Sequence, residues 1–80
     1  MRGYYSHLEH LRGRLVAAGQ DKWAMELLAA ERSASTSGEA LSNTGVVLRR
    51  LLDSDEPNLG DFRDEVASIE AEGHAIWDGR

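Results

Sequence analysis

Three histidines have spacings that could place metal ligands on a common helical face. His7 and His10 are three residues apart, and Glu70 and His74 are four apart, so each pair would project from one side of a helix. Imidazole and carboxylate groups are ligands of zinc and related metals. However, metal sites in helical bundles usually contain Glu-x-x-His motifs, and the chain has none. We therefore expect no metal or other cofactor, and interpret His7, His10 and His74 as surface histidines, the only candidates if a metal does bind.

The serines lack the surroundings of a catalytic nucleophile. Such a serine needs an oriented histidine and carboxylate, and no serine here lies in a nucleophile elbow or a glycine-rich strand–helix turn; several occupy a predicted helix start or the loop from Ser33 to Gly38. Free N–H groups at the end of that loop could hold an anion, but the loop lacks the lysine of a phosphate-binding loop and Glu39 would repel the anion. We expect that the chain is not an enzyme.

Acidic groups are concentrated in the last third of the chain. The net charge is −5, and residues 53–80 carry nine acidic and two basic groups, a local charge of −7. Five of these carboxylates are candidates for a partner-binding surface on the last predicted helix: Asp61, Asp64, Glu65, Glu70 and Glu72. The surface has two interpretations, a solvated face that keeps the protein soluble or a docking surface for a basic protein.

Close basic pairs occur at two places, Arg12 with Arg14 and Arg49 with Arg50. Nucleic-acid binding normally requires a continuous basic surface that displaces counterions from phosphates. The four arginines would have to share one face of the fold, so we expect no nucleic-acid partner.

Aromatic residues near the two ends of the chain are further candidates for partner contacts. Tyr4 and Tyr5 precede the first predicted helix, so they either fold back over the core or form an exposed contact patch, and we favour the first. Trp77 lies near the other end. If one molecule cannot cover this ring, a homodimer along the last helix would do so.

Length and composition indicate a single helical domain spanning residues 1–80. The chain is 41% hydrophobic and 29% charged, which is typical of a globular protein. It contains no cysteine, which excludes disulfides and thiolate metal sites. No signal peptide and no apolar run of ~20 residues is recognisable, so we expect a cytoplasmic protein without a membrane partner.

Apolar periodicity predicts an all-α bundle of four short helices, at about residues 6–18, 21–33, 37–53 and 58–78, with antiparallel neighbours. Ser6 and Glu9 form a capping box at the first start, and Gly19 ends that helix. Asp21 is expected to cap the second helix, and Thr36 with Glu39 the third.

The third and fourth predicted helices have the clearest apolar faces. The third is the most apolar segment, and we expect it at the centre of the fold. In the fourth, apolar or small residues recur at spacings of four and three: Phe62, Val66, Ile69, Gly73 and Ile76.

One stretch resembles a known group of proteins. Ser35-Thr36-Ser37-Gly38-Glu39-Ala40-Leu41, continuing to Leu48-Arg49-Arg50-Leu51-Leu52, resembles small bacterial all-helical proteins of uncharacterised function, which pair a Ser/Thr/Gly-Glu helix start with a Leu/Arg-rich helix. The resemblance implies a bacterial helical protein and carries no activity.

These observations favour a non-enzymatic interaction protein, with a regulatory or accessory role, that binds another protein or itself. Its expected contact surface is the acidic face of the last helix together with Tyr4, Tyr5 and Trp77. The alternative is a small metal- or ligand-binding protein that uses His7, His10 and His74.

Overall fold

The computed structural model describes residues 2–54 and 57–78, with side chains for residues 3–54, 59–60 and 62–76. Within these ranges the chain forms four α-helices and no strand: α1 (Arg2–Ala17), α2 (Asp21–Arg32), α3 (Ser37–Leu52) and α4 (Arg63–Asp78). A 3-10 helix (Pro57–Phe62) precedes α4, at the place where the sequence predicts the first turn of the fourth helix. The predicted all-α bundle is therefore confirmed.

The first helix begins at Arg2, four residues before the predicted start, so the prediction that Ser6 caps it is wrong. The reason is tertiary. The Tyr4 side chain is 1% exposed and its hydroxyl is bonded to Thr44 of α3, so burial of this ring stabilises a helical turn ahead of the local capping signal.

The other helix ends follow local sequence more closely. Gly19 has the predicted left-handed conformation, with φ of +79°, and Gln20 N–H donates back to the Leu15 carbonyl at 2.7 Å. Thr36 accepts a hydrogen bond from Glu39 N–H at 3.1 Å, as predicted. Asp21 does not cap α2, because Gln20 occupies the capping position and makes no side-chain bond there.

The four helices form a ring in which each packs on two neighbours. α1 lies between α2 and α4, and α3 lies between the same two helices on the opposite side. Tyr4 near the start of α1 lies against Gly73 near the end of α4, so these two helices are antiparallel. The prediction that α3 is central is wrong, since the apolar faces of all four helices meet in one core.

The core is built from the predicted apolar stripes. The apolar face predicted for the fourth helix is confirmed, since its residues are buried, or half-buried in the case of Ile76: Phe62, Val66, Ile69, Gly73 and Ile76. The largest fully buried aliphatic side chains come from every helix and from the 3-10 segment: Leu8, Leu11, Leu15, Leu27, Leu48, Leu51, Leu59 and Val66. None of the helices in the described ranges is long and apolar enough to span a bilayer.

Ion pairs join neighbouring helices, and they share one arrangement of positive and negative partners. In each pair between arginine and glutamate, the arginine lies on α1 or α3 and the glutamate on α2 or α4. The pairs are Arg12–Glu31 at 3.0 Å, Arg14–Glu65, Arg49–Glu70 at 3.7 Å and Arg50–Glu26 at 3.5 Å. An exposed pair of this kind contributes only about 0–1 kcal/mol, and the Arg12–Glu31 pair is half-buried, but together the pairs favour contacts between odd-numbered and even-numbered helices.

Candidate binding groove

An open groove of about 490 Å³ lies between α3 and α4. Its lining is mainly apolar and small, from Tyr4, Leu41, Gly45, Val46 and Gly73. Val46 is 57% exposed, although residues of its size are ordinarily placed in a core. We call this feature the α3–α4 groove.

Two glycines give the groove its shape, and they do so in opposite ways. A Cβ built on Gly73 would lie 2.9 Å from Tyr4 Cε1, because the tyrosine ring packs directly on the α4 backbone. A Cβ built on Gly45 would meet nothing within 4 Å. The chain therefore fills one glycine notch with its own Tyr4 and leaves the other open.

Tyr4 is fixed by a buried hydrogen bond as well as by packing. Its hydroxyl lies 2.7 Å from Thr44 Oγ1, and Thr44 donates to the Ala40 carbonyl at 2.7 Å, so Tyr4 is the donor to Thr44. Burial raises the pKa of the Tyr4 hydroxyl above its usual value. This tyrosine is a rigid part of the groove lining.

Charged side chains line one end of the groove: Arg49, Arg50, Glu70 and His74. Glu70 Oε2 lies 3.7 Å from Arg49 Nη1, and Glu70 Oε1 lies 3.8 Å from His74 Nε2. Both distances exceed those of a hydrogen bond, and Glu70 Oε2 is buried without a hydrogen-bond partner among the described side chains. We call Arg49, Arg50 and His74 the basic rim.

Ser42, Glu70 and His74 all line the groove, which are the residue types of a nucleophilic triad. In the part of the chain with described side chains, no hydrogen bond joins Ser42 to His74, and the His74 side chain is 67% exposed.

The predicted acidic surface is partly neutralised within the bundle. Glu65 pairs with Arg14, Glu72 lies 3.0 Å from His7, and Glu70 faces the basic rim. Asp64 is exposed, and the side chain of Asp61 lies outside the described residues. The carboxylates therefore act largely between helices, and less of this surface is free for a basic partner than the sequence indicates.

The three histidines do not converge. His7 lies against Glu72, His74 lies near Glu70, and His10 is exposed on α1. Among the residues that the structure describes, no group of three or more His, Asp or Glu side chains could hold a metal ion.

The aromatic and basic candidates are also separated. Tyr4 is buried, so it cannot form an exposed contact patch, and Tyr5 is half-buried with its ring edge-on to Tyr4 at 5.7 Å. The side chain of Trp77 lies outside the described residues. The pair Arg12 and Arg14 belongs to α1, and the pair Arg49 and Arg50 to α3, across the ring of helices.

The α3–α4 groove was not predicted from the sequence. Gly45 within an apolar helix and Gly73 within an apolar seam were visible signals. Their significance depends on which helices are neighbours, because Tyr4 from α1 must reach α4 before one notch is filled and the other left open.

Comparison with known proteins found no matching family model, no matching curated protein and no matching solved structure.

Proposed function

We propose that this chain is a non-enzymatic interaction protein that binds an amphipathic helix of another protein in the α3–α4 groove. The observation that carries the proposal is the open, apolar groove with an unfilled notch at Gly45. Exposed apolar area in a concave surface is characteristic of sites that bind partners.

The dimensions of the groove suit a helix. Its lining on α3 runs from Leu41 to Arg50, ten residues or ~15 Å of helix. An amphipathic helix offers apolar side chains at spacings of three and four on one face, so two successive turns would place two anchors along that length. The notch at Gly45 would receive one of them.

Co-purification with a groove-filling variant tests the proposal. Gly45→Leu would place its side chain in the open notch, and Gly13→Leu is a matched control, since Gly13 is also a helical glycine with open space around it. We expect the tagged chain and the control to retain one stoichiometric protein from a lysate of the source organism, and Gly45→Leu to lose it. Equal recovery by Gly45→Leu, or no stoichiometric protein at all, would contradict the proposal.

A second candidate function is binding of a small ligand. The groove volume of about 490 Å³ lies within the range of ligand pockets, and His74 at its end is the histidine that such a ligand would meet. Native mass spectrometry of the untagged chain separates the two functions, since a bound small molecule that Gly45→Leu excludes would favour this candidate.

A further inference from the structure

The charge around the groove has the opposite sign to that of the chain. The chain carries −5 in total, yet the groove ends at Arg49, Arg50 and His74, with side-chain exposures of 66%, 57% and 67%. Glu70, the acidic residue of the lining, is only 14% exposed. The two guanidinium groups are thus outermost and the Glu70 carboxylate lies below them, which makes the mouth of the groove positive.

The rim side chains make no hydrogen bond to the carboxylates that lie nearest to them. Arg49, Arg50 and His74 lie 3.7, 3.5 and 3.8 Å from the nearest carboxylate oxygens, longer than charge-assisted hydrogen bonds of about 2.7–2.9 Å. Elsewhere in the bundle, Arg12 lies 3.0 Å from Glu31. Arg49 therefore keeps unused hydrogen-bonding capacity for a carboxylate of a bound molecule, whereas the Arg50 guanidinium is directed to α2, 5.8 Å from the centre of the Trp23 ring.

We infer that the helix bound in the α3–α4 groove carries Asp or Glu one turn away from its apolar anchor. This inference rests on the proposed function and specifies its partner. Arg49 lies one helical turn beyond Gly45 on α3, so a helix whose anchor fills the Gly45 notch meets the basic rim three or four residues along its own sequence. Charge complementarity at the rim would direct such a partner to this acidic protein.

Selection from a displayed library of helical peptides of about 14 residues tests the inference. One face of each peptide varies among Leu, Ile, Val, Phe and Met, and the positions three and four residues away vary among Glu, Lys, Gln and Ser. The bait is the full chain, and peptides that also bind Gly45→Leu are discarded. We expect Glu to be enriched beside the anchor.

Charge reversal then tests the contact directly. Arg49→Glu should lower the affinity for a selected Glu-flanked peptide about tenfold, as measured by fluorescence anisotropy. The same variant should bind the matching Lys-flanked peptide more tightly than the parent chain does. Arg32→Glu is the control, because Arg32 is exposed on α2 outside the groove and this substitution changes the net charge by the same amount. We expect it to reduce affinity by less than about twofold.

The outcomes separate the inference from the proposed function. Groove-dependent peptides with Lys or neutral flanks would overturn the inference and leave the proposed function intact. Failure to recover any peptide that Gly45→Leu excludes would overturn both. A dimer of the chain that Gly45→Leu abolishes, measured by light scattering, would replace the partner helix with a second copy and also overturn the inference.

Discussion

Replacing Gly73 by alanine is expected to destabilise the bundle, whereas the same change at Gly13 or Gly45 is expected to stabilise it. All three glycines lie inside α-helices, where alanine is favoured over glycine by about 1 kcal/mol. They differ in what the new methyl group meets. At Gly13 and Gly45 it meets nothing within 4 Å, but at Gly73 it meets the buried Tyr4 ring.

The size of the effect follows from that contact. The Cβ of residue 73 would lie 2.9 Å from Tyr4 Cε1 and 3.3 Å from both Cζ and the hydroxyl oxygen. Tyr4 cannot move away without disturbing its 2.7 Å bond to Thr44. Overpacking of this kind costs about 1–3 kcal/mol, so Gly73→Ala should be less stable than Gly13→Ala by about that amount, or at least ~4 °C in Tm for a chain of this size.

Urea unfolding followed by far-ultraviolet circular dichroism measures these differences, and a double-mutant cycle identifies their cause. In a Tyr4→Leu background the contact is absent, so Gly73→Ala should then stabilise the chain by about 1 kcal/mol, as at the open positions. If Gly73→Ala matches Gly13→Ala in the parent chain, or if its penalty persists with Tyr4→Leu, the reasoning about this contact is wrong.

Three further predictions concern local features. Thr36→Ala should lower the free energy of unfolding by about 1 kcal/mol through loss of the cap, whereas Ser6→Ala should not lower it, since Ser6 lies inside α1; thermal melts compare the two. Gly19→Ala should cost about 1 kcal/mol or more, because φ of +79° disfavours a side chain; unchanged stability in urea would contradict this. Burial raises the pKa of Tyr4, so its contribution to stability is full below the unfolded pKa of about 10 and is lost as pH rises through the folded value. Urea titrations from about pH 8 to about pH 11 should show stability falling above about pH 10, less steeply in Tyr4→Phe, and equal slopes would refute this.

Local signals predicted most of the fold. The apolar stripes gave four helices, Gly19 ended the first, and Thr36 with Glu39 began the third, because each depends on residues within a few positions. The start of α1 was misplaced since it depends on burial of Tyr4 by α3 and α4.

The candidate site was less predictable for the same physical reason. From the sequence, the carboxylates of the last helix form a free acidic face. In the structure Glu65 and Glu70 lie near arginines of α1 and α3, and Glu72 is hydrogen-bonded to His7 of α1. Which cation meets which carboxylate depends on the order of helices around the ring. That order is not encoded in the periodicity of any single helix.

The alternation of arginine and glutamate around the ring has a consequence for handedness. α2 and α4 both present glutamates to α1, so exchanging the places of these two helices would still let Arg12 and Arg14 find carboxylates. The ion pairs thus favour particular neighbours for each helix, but they do not distinguish a clockwise from an anticlockwise order of the four helices around the ring. Contacts of shape, such as the Tyr4 ring packed on the bare backbone at Gly73, are therefore what can distinguish the two orders.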